Sequence, residues 1–173
     1  MYSLAQDAQG FVWIGCDAGL YKFDGVGYRA YKSSRQKIKS MTGLTLSPSG
    51  RLYCYNFQGQ IFYAQGDTLR ELEAGFYKVT GMSADSAGNI YVNHVLGLSS
   101  YNERSGEWRH HNLPKTEGDA SCSISQIRMA CGLYFVSAAG FGRILCDGAT
   151  EISGQTELFR PAGIFILERW GED

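Results

Sequence analysis

The feature that most constrains this chain is a pattern of glycines and aromatic residues that occurs four times. In the first copy Trp13 is followed six positions later by Gly19, and this step of six is kept in every copy. The aromatic residues advance along the chain by 40, 38 and 43 positions. The four pairs are Trp13 and Gly19, Tyr53 and Gly59, Tyr91 and Gly97, and Tyr134 and Gly140. Self-similarity at a period near 40 residues indicates a repeat protein.

Each copy carries the signals of four short strands. The segments 7–10, 47–50 and 85–88 have Asp or Ser first and Gly fourth, as a type I turn closing on a left-handed Gly requires. Runs rich in aromatic and β-branched residues flank these turns and predict strands. Four antiparallel strands in about 40 residues are typical of a propeller blade.

The sequence therefore predicts an all-β protein, a β-propeller with about four four-stranded blades and the first strand of a fifth. Trp13, Tyr53, Tyr91 and Tyr134 are expected at equivalent positions on the second strands. Trp13 is interpreted as filling the gap between adjacent sheets, with a stacking platform for a ligand as the alternative. The predicted blades span residues 1–32, 40–72, 79–113 and 122–159, and the fifth begins within 161–173.

The first copy, SLAQDAQGFVWIGCDAGLYKFDG, resembles the two-component-regulator propeller repeat. The family pattern is close to D-x-x-G-x-[IV]-W-[IV]-G-T-x-x-G-L-x-x-[YF]-[DN]. The third copy keeps Asp85, both glycines, Leu98 and Tyr101, but has Tyr91 in place of Trp and Asn93 in place of Gly. The second and fourth copies keep mainly the glycines and aromatic residues.

This resemblance implies a piece of a larger, usually seven-bladed propeller. In the family such propellers form the periplasmic sensor of bacterial hybrid two-component regulators with a histidine kinase, often those that control glycan use. The implied function is recognition of an oligosaccharide, without a catalytic residue, metal or cofactor in this segment. One alternative is a structural propeller that holds a dimer together. Another is a propeller lyase of the streptogramin-inactivating type, for which His94 is the one well-placed candidate.

Polar residues in the turn between the second and third strands of each blade are the first ligand candidates. These turns lie at the rim of the central channel of a propeller, and amide and carboxylate groups there suit sugar hydroxyls. The alternative is that they are ordinary turn residues that bond their own backbone. The candidates are Asp17, Asn56, Gln58, Asn93 and His94.

The connector from Lys32 to Lys39 is the second candidate. It holds Lys32, Arg35, Lys37 and Lys39 with no acidic residue among them. We expect Arg35, Lys37 and Lys39 to contribute if the ligand is anionic, and a solvated loop is the alternative.

Composition excludes several classes of partner. The net charge of −1 gives no global attraction to nucleic acid or an anionic membrane. Five cysteines without a C-x-x-C element favour packed free thiols over a disulfide or metal framework.

Four blades of a seven-bladed ring would leave two blade flanks uncovered. These flanks are expected around Trp13 and around Tyr134 and Phe135, and we expect the chain to self-associate through them.

Overall fold

The structure, a computed structural model, describes residues 2–75, 78–111, 128–129, 132–137, 140–145 and 150–153. The regular structure of these residues consists of β-strands alone, in four sheets of four strands. Each sheet is built from four strands that are consecutive in the chain and antiparallel to their neighbours. The predicted all-β propeller architecture is confirmed, and each sheet is one blade.

The strands of the four blades have the following bounds. Blade one comprises β1 (Ser3–Gln6), β2 (Val12–Cys16), β3 (Gly19–Phe23) and β4 (Tyr28–Tyr31). Blade two comprises β5 (Thr42–Leu46), β6 (Leu52–Tyr55), β7 (Ile61–Gln65) and β8 (Thr68–Leu72). Blade three comprises β9 (Val79–Ala84), β10 (Asn89–His94), β11 (Gly97–Asn102) and β12 (Trp108–His111). Blade four comprises β13 (Arg128–Met129), β14 (Gly132–Ser137), β15 (Gly140–Leu145) and β16 (Thr150–Ser153).

The repeated aromatic residues all lie on second strands. Trp13 is on β2, Tyr53 on β6, Tyr91 on β10 and Tyr134 on β14. The second glycine of the pattern opens the third strand in blades one, three and four, whereas Gly59 lies in a longer turn that precedes β7. The constant spacing therefore marks the second hairpin of each blade.

The turn between the first and second strands, here called the tip, has the predicted geometry. In blade one the amide of Gly10 donates to the carbonyl of Asp7 at 2.9 Å, and Gly10 has a φ of 87°. Gly50 and Gly88 repeat this arrangement with φ values of 82° and 86°. A residue with a Cβ atom is strained at such positive φ, which explains glycine at this position.

The first strands of blades one, two and three lie beside one another, as they do around a propeller axis. The amide of Leu44 on β5 donates to the Ser3 hydroxyl on β1 at 3.1 Å, and the Thr45 hydroxyl donates to the Met82 carbonyl on β9 at 3.2 Å. A Cβ atom on Gly15 would lie only 2.6 Å from the Met41 carbonyl oxygen. Glycine at this position therefore permits the close approach of blades one and two.

Among the side chains that the structure describes, two buried cores lie between the blades. Trp13 is 5% exposed and its ring packs against Tyr31, with ring centroids 4.7 Å apart. The first core joins blades one and two through Trp13, Leu20, Tyr31, Met41, Leu44, Leu52, Cys54, Phe62 and Leu69. The second joins blades two and three through Tyr53, Tyr55, Ile61, Val79, Met82, Ala84, Ile90 and Val92. The aromatic residue of each of these second strands thus faces the following blade.

The expected exposed flank around Trp13 is wrong, because Trp13 lies on the covered face of blade one. Strand register explains the error, since side chains alternate between the two faces of a sheet. Trp13 pairs with Ala5 and Lys22 on the covered face. The opposite face, here called the outer face of blade one, carries Leu4, Ile14, Tyr21, Phe23 and Tyr28. The expectations for Tyr134, Phe135 and the strand within 161–173 lie outside what the structure describes.

Cys16 and Cys54 are free thiols, and the other three cysteines lie outside the described side chains. Burial raises the pKa of the Cys54 thiol to about 12, which makes it an unreactive packing group. Among the described residues no helix is long and apolar enough to cross a membrane.

Candidate ligand-binding face

In blades one to three, the turns between second and third strands lie on the same side of the molecule as the connector between blades one and two, and this side is here called the connector face. Alternating strand direction places both kinds of loop on this side and the tips on the other. The Lys37 amide donates to the Gln60 side-chain oxygen at 2.9 Å, so the first connector contacts the β6–β7 turn. The Met41 amide donates to the Cys16 carbonyl at 3.0 Å, so it also contacts the end of β2.

Asn56 in the β6–β7 turn is completely buried and holds that turn together. Its side-chain oxygen accepts from the amides of Gln58 at 3.1 Å and Gln60 at 3.0 Å. Its side-chain nitrogen donates to the Gln60 side-chain oxygen at 2.9 Å. The Asn56 amide group is therefore used within its own turn, whereas the Gln58 side chain is exposed.

Asn93 and His94 at the end of β10 are also buried, at 3% and 7% exposure. The Leu96 amide donates to Nδ1 of His94 at 3.2 Å, so Nε2 carries the proton of the neutral ring. That nitrogen lies 2.9 Å from the Ser99 hydroxyl, which in turn lies 2.7 Å from Nδ1 of His110. Burial, and then the neighbouring His110, lower the pKa of His94 and favour the neutral ring. His94 is thus built into blade three rather than presented to solvent.

The connector face also presents large apolar side chains to solvent. Tyr2 is 45% exposed, Phe57 56%, Val95 51% and Leu96 74%. Phe57 lies in the β6–β7 turn, and Val95 and Leu96 form the β10–β11 turn. The predicted ligand candidates did not include these residues, because the prediction rested on polar groups alone. Large apolar residues at the turns themselves were the available signal, since such side chains cannot bond their own backbone.

Asp17 is exposed and is joined to the aromatic residues of this face. The Tyr2 hydroxyl donates to Oδ1 of Asp17, and this hydrogen bond raises the pKa of Tyr2 above its usual 10.0. The Tyr2 ring meets the Phe57 ring edge to face, with centroids 4.9 Å apart and an interplanar angle of 74°. Tyr2, Asp17 and Phe57 therefore form one group across the seam between blades one and two.

The connector cations differ in how they are paired. Nη1 of Arg35 lies 2.8 Å from Glu73, and its Nε lies 3.5 Å from Glu71, so acids of β8 and its end compensate its charge. The side chains of Lys37 and Lys39 are exposed and form no ion pair within residues 2–75 and 78–111. A cleft of about 520 Å³ lies beside the connector between Lys32 and Glu71.

Among the residues that the structure describes, no group of three or more His, Cys, Asp or Glu side chains is placed to hold a metal ion. The face thus combines exposed aromatic rings, a carboxylate, an amide and two lysines, a set suited to a ligand with both apolar and hydroxyl surfaces.

Comparison of the sequence with models of known families finds no match, and comparison with curated proteins finds none either. Solved structures do share the fold. The extracellular domain of a protein from B. thetaiotaomicron described as a one-component system has a TM-score of 0.68 and 19% identity, over 92% of this chain and 22% of that one. The extracellular domain of a hybrid two-component system from the same organism has a TM-score of 0.59 and 17% identity, over 88% and 24%.

A third similar structure is an enzyme. Virginiamycin B lyase from Staphylococcus aureus, as a catalytically inactive variant with quinupristin, has a TM-score of 0.66 and 15% identity. The match covers 87% of this chain and 54% of the lyase, so the chain spans about half the length of that protein. At these identities the likeness shows the propeller fold, which hosts both sensors and enzymes.

Proposed function

We propose that this chain is a ligand-sensing propeller segment of a bacterial two-component signalling protein, located outside the cytoplasm, and that its ligand derives from a glycan. The likeness to extracellular domains of such systems supports the signalling role. The observation that carries the ligand class is the connector face, where exposed aromatic rings stand beside a carboxylate. Sugars present apolar ring faces and hydroxyl groups, which match these two features.

A role in binding rather than catalysis is favoured by the state of His94. The lyase alternative needs a histidine that reaches a substrate together with an acid. The ring nitrogens of His94 are occupied by the Leu96 amide and the Ser99 hydroxyl, and the ring is almost fully buried. This arrangement leaves no ring nitrogen free for proton transfer to a bound substrate.

The signalling proposal is tested in the source bacterium by deleting the segment that encodes this chain from the chromosomal gene. Cells are moved to single glycans as carbon source, and transcripts are measured across the genome. Loss of induction on one glycan, with normal induction on the others, is expected. Identical induction on every glycan, with and without the segment, contradicts the proposal.

A second candidate function is assembly, and the outer face of blade one favours it. Tyr28 on this face is 68% exposed and Leu4 is 52% exposed, and the Tyr28 ring stacks on Phe23 with centroids 4.7 Å apart. A contiguous apolar face of this kind is uncommon on a monomer. We propose that two copies of the chain associate through it. Light scattering is expected to give a dimer that Tyr28→Glu converts to a monomer, and a monomeric wild type contradicts this role.

A further inference from the structure

We infer that Tyr2, Phe57 and Asp17 form a subsite for one neutral pyranose ring at the seam between blades one and two. The inference rests on the proposed function, since it specifies the ligand contact of the same connector face. Its basis is the geometry of three side chains that come from two different blades. None of them bonds its own turn in the way that Asn56 does.

The two aromatic rings form a corner that is open to solvent. Their planes differ by 74°, so the face of one ring and the edge of the other border the same space. About half of each side chain remains exposed, although both rings touch. Aromatic surface left in water on two sides of a corner gains free energy when an apolar face covers it. The C–H face of a pyranose is flat and has the size of such a ring.

The corner is held in place before any ligand arrives. The Tyr2 amide donates to the Gly15 carbonyl at 2.9 Å, which fixes the Tyr2 backbone to β2. Its hydroxyl donates to Asp17, which fixes the ring. The Phe57 backbone lies in the turn that buried Asn56 holds together. A rigid contact surface loses little conformational entropy on binding, so more of the contact energy is retained as affinity.

Asp17 provides the polar part of the subsite. Its Oδ1 accepts from Tyr2, while its Oδ2 makes no hydrogen bond or ion pair within the residues that the structure describes. An ionised carboxylate only accepts hydrogen bonds, so the ligand must supply donors such as hydroxyl groups. The same negative charge disfavours a sugar that carries a carboxylate or sulfate at this position. The exposed amide of Gln58, next to Phe57, can donate or accept beside the ring.

This assignment separates the subsite from the lysines of the connector. Lys37 and Lys39 lie along the same seam and would attract an acidic sugar. The subsite favours a neutral ligand and the two lysines favour an acidic one, so the two can be told apart by the charge of the ligand and by substitution. A neutral ligand should depend on Phe57, and an acidic ligand should depend on the lysines.

Binding is tested by calorimetry on the 173-residue chain with neutral hexasaccharides of glucose, xylose and mannose, and with hexagalacturonate. Phe57→Ala is expected to weaken binding of the neutral ligand at least about fivefold, because it removes the aromatic face. Asp17→Asn should weaken it about twofold to fivefold, since the amide retains one acceptor. Val26→Ala, at a fully exposed apolar residue in the β3–β4 turn on the side of the tips, is the control and should leave affinity unchanged.

Saturation-transfer NMR on the unsubstituted chain gives a second readout that needs no variant. Irradiation of the aromatic protons should saturate the C–H protons of one sugar ring most strongly. Neutral binding that Phe57→Ala leaves unchanged overturns the subsite and leaves the proposed function standing. Preferred binding of hexagalacturonate that Lys37→Ala and Lys39→Ala abolish also overturns it, in favour of the connector. Binding of none of the four ligands overturns the subsite and the proposed ligand class together.

Discussion

The tips of blades one and two place a carboxylate beside the second-strand aromatic residue, but they obtain it from different places. In blade one Asp7 opens the tip, and its Oδ2 accepts from the indole nitrogen of Trp13 at 3.0 Å. Blade two has Ser47 at this position, and the Tyr53 hydroxyl donates instead to Glu103 at 3.1 Å. Glu103 follows β11 of blade three, so the acid is supplied by the next blade.

Both tips also pair the acid with a cation that lies over an aromatic ring. Nζ of Lys22 lies 3.1 Å from Asp7 and 4.0 Å from the centroid of the Phe11 ring. In blade two, Arg51 lies 3.6 Å from Glu103 and 5.0 Å from the Tyr63 ring. The two tips thus share one arrangement in space, but the acid that completes it comes from the same blade in blade one and from the next blade in blade two.

The two tips should differ most in the loss of stability caused by alanine at their first residue, Asp7 in blade one and Ser47 in blade two. Asp7→Ala removes the acceptor of the Trp13 indole and of the Gln9 and Phe11 amides, and should lower the free energy of unfolding by about 3 kcal/mol. Ser47→Ala removes only hydroxyl bonds and should cost about 1 kcal/mol. Urea unfolding followed by tryptophan fluorescence measures both. Asp67→Ala, at an exposed ion pair, is the control and should change little.

Glu103→Ala should destabilise the chain by about 2 kcal/mol, since it leaves the Tyr53 hydroxyl and Arg51 without their acceptor. Adding Ser47→Asp to this variant restores a carboxylate at the tip and should recover most of the loss. The same Ser47→Asp in the unaltered chain puts two carboxylates together and should destabilise it. If Ser47→Asp changed the free energy of unfolding equally in both chains, positions 47 and 103 would not supply the same carboxylate.

Lowering the pH is expected to reduce the free energy of unfolding by a smaller amount than these substitutions do. Burial tends to raise the pKa of Asp7, but hydrogen bonds from Trp13 and Lys22 outweigh it and hold the pKa below the usual 3.8. A carboxyl group whose pKa is lowered by folding contributes stability above its unfolded value, and this stability is lost as the pH falls below about 3.8. Asp7→Asn should flatten the fall of stability between about pH 5 and pH 2. An unchanged slope would show that folding does not lower the pKa of Asp7.

The smallest difference concerns the two cations. Lys22→Met should cost about 1 kcal/mol and Arg51→Met about 0.5 kcal/mol, because Lys22 is closer to its acid and ring and its side chain is 21% exposed against 39% for Arg51. Salt should reduce both losses, and that of Arg51 more. Thermal unfolding at low and high salt provides the measurement, and a larger loss for Arg51→Met contradicts the ranking.

The blade architecture was predictable because the information is local. A glycine at positive φ closes the tips of blades one, two and three, and the aromatic residue three positions later falls on the second strand. Contacts between blades were less accessible, since Ser47 and Glu103 are 56 positions apart. The local sign was that Ser47 stands where the other two tips have Asp, while Arg51 and Tyr53 nearby in the sequence still need an acid as partner.

The candidate site was harder to predict than the fold. Short polar side chains at a turn can bond the turn itself, and Asn56 does so, while His94 is drawn into blade three by Ser99. Sequence alone does not tell whether a turn residue faces its own backbone or solvent. Asp17 and Gln58 are exposed, as expected for ligand residues at the rim of the channel. The contact between Phe57 and Tyr2 joins two blades, so it is visible only in the structure.

The shared acid of blade two also bears on how such a repeat array can be rearranged in evolution. Blades one and three carry Asp7 and Asp85 at their own tips, so either can be duplicated or moved as a complete unit. Blade two can be copied without loss only in front of a blade that has an acid where Glu103 stands. Because its tip has Ser47 rather than Asp, blade two forms an ordered pair with blade three, and the two would have to be copied together to keep this contact.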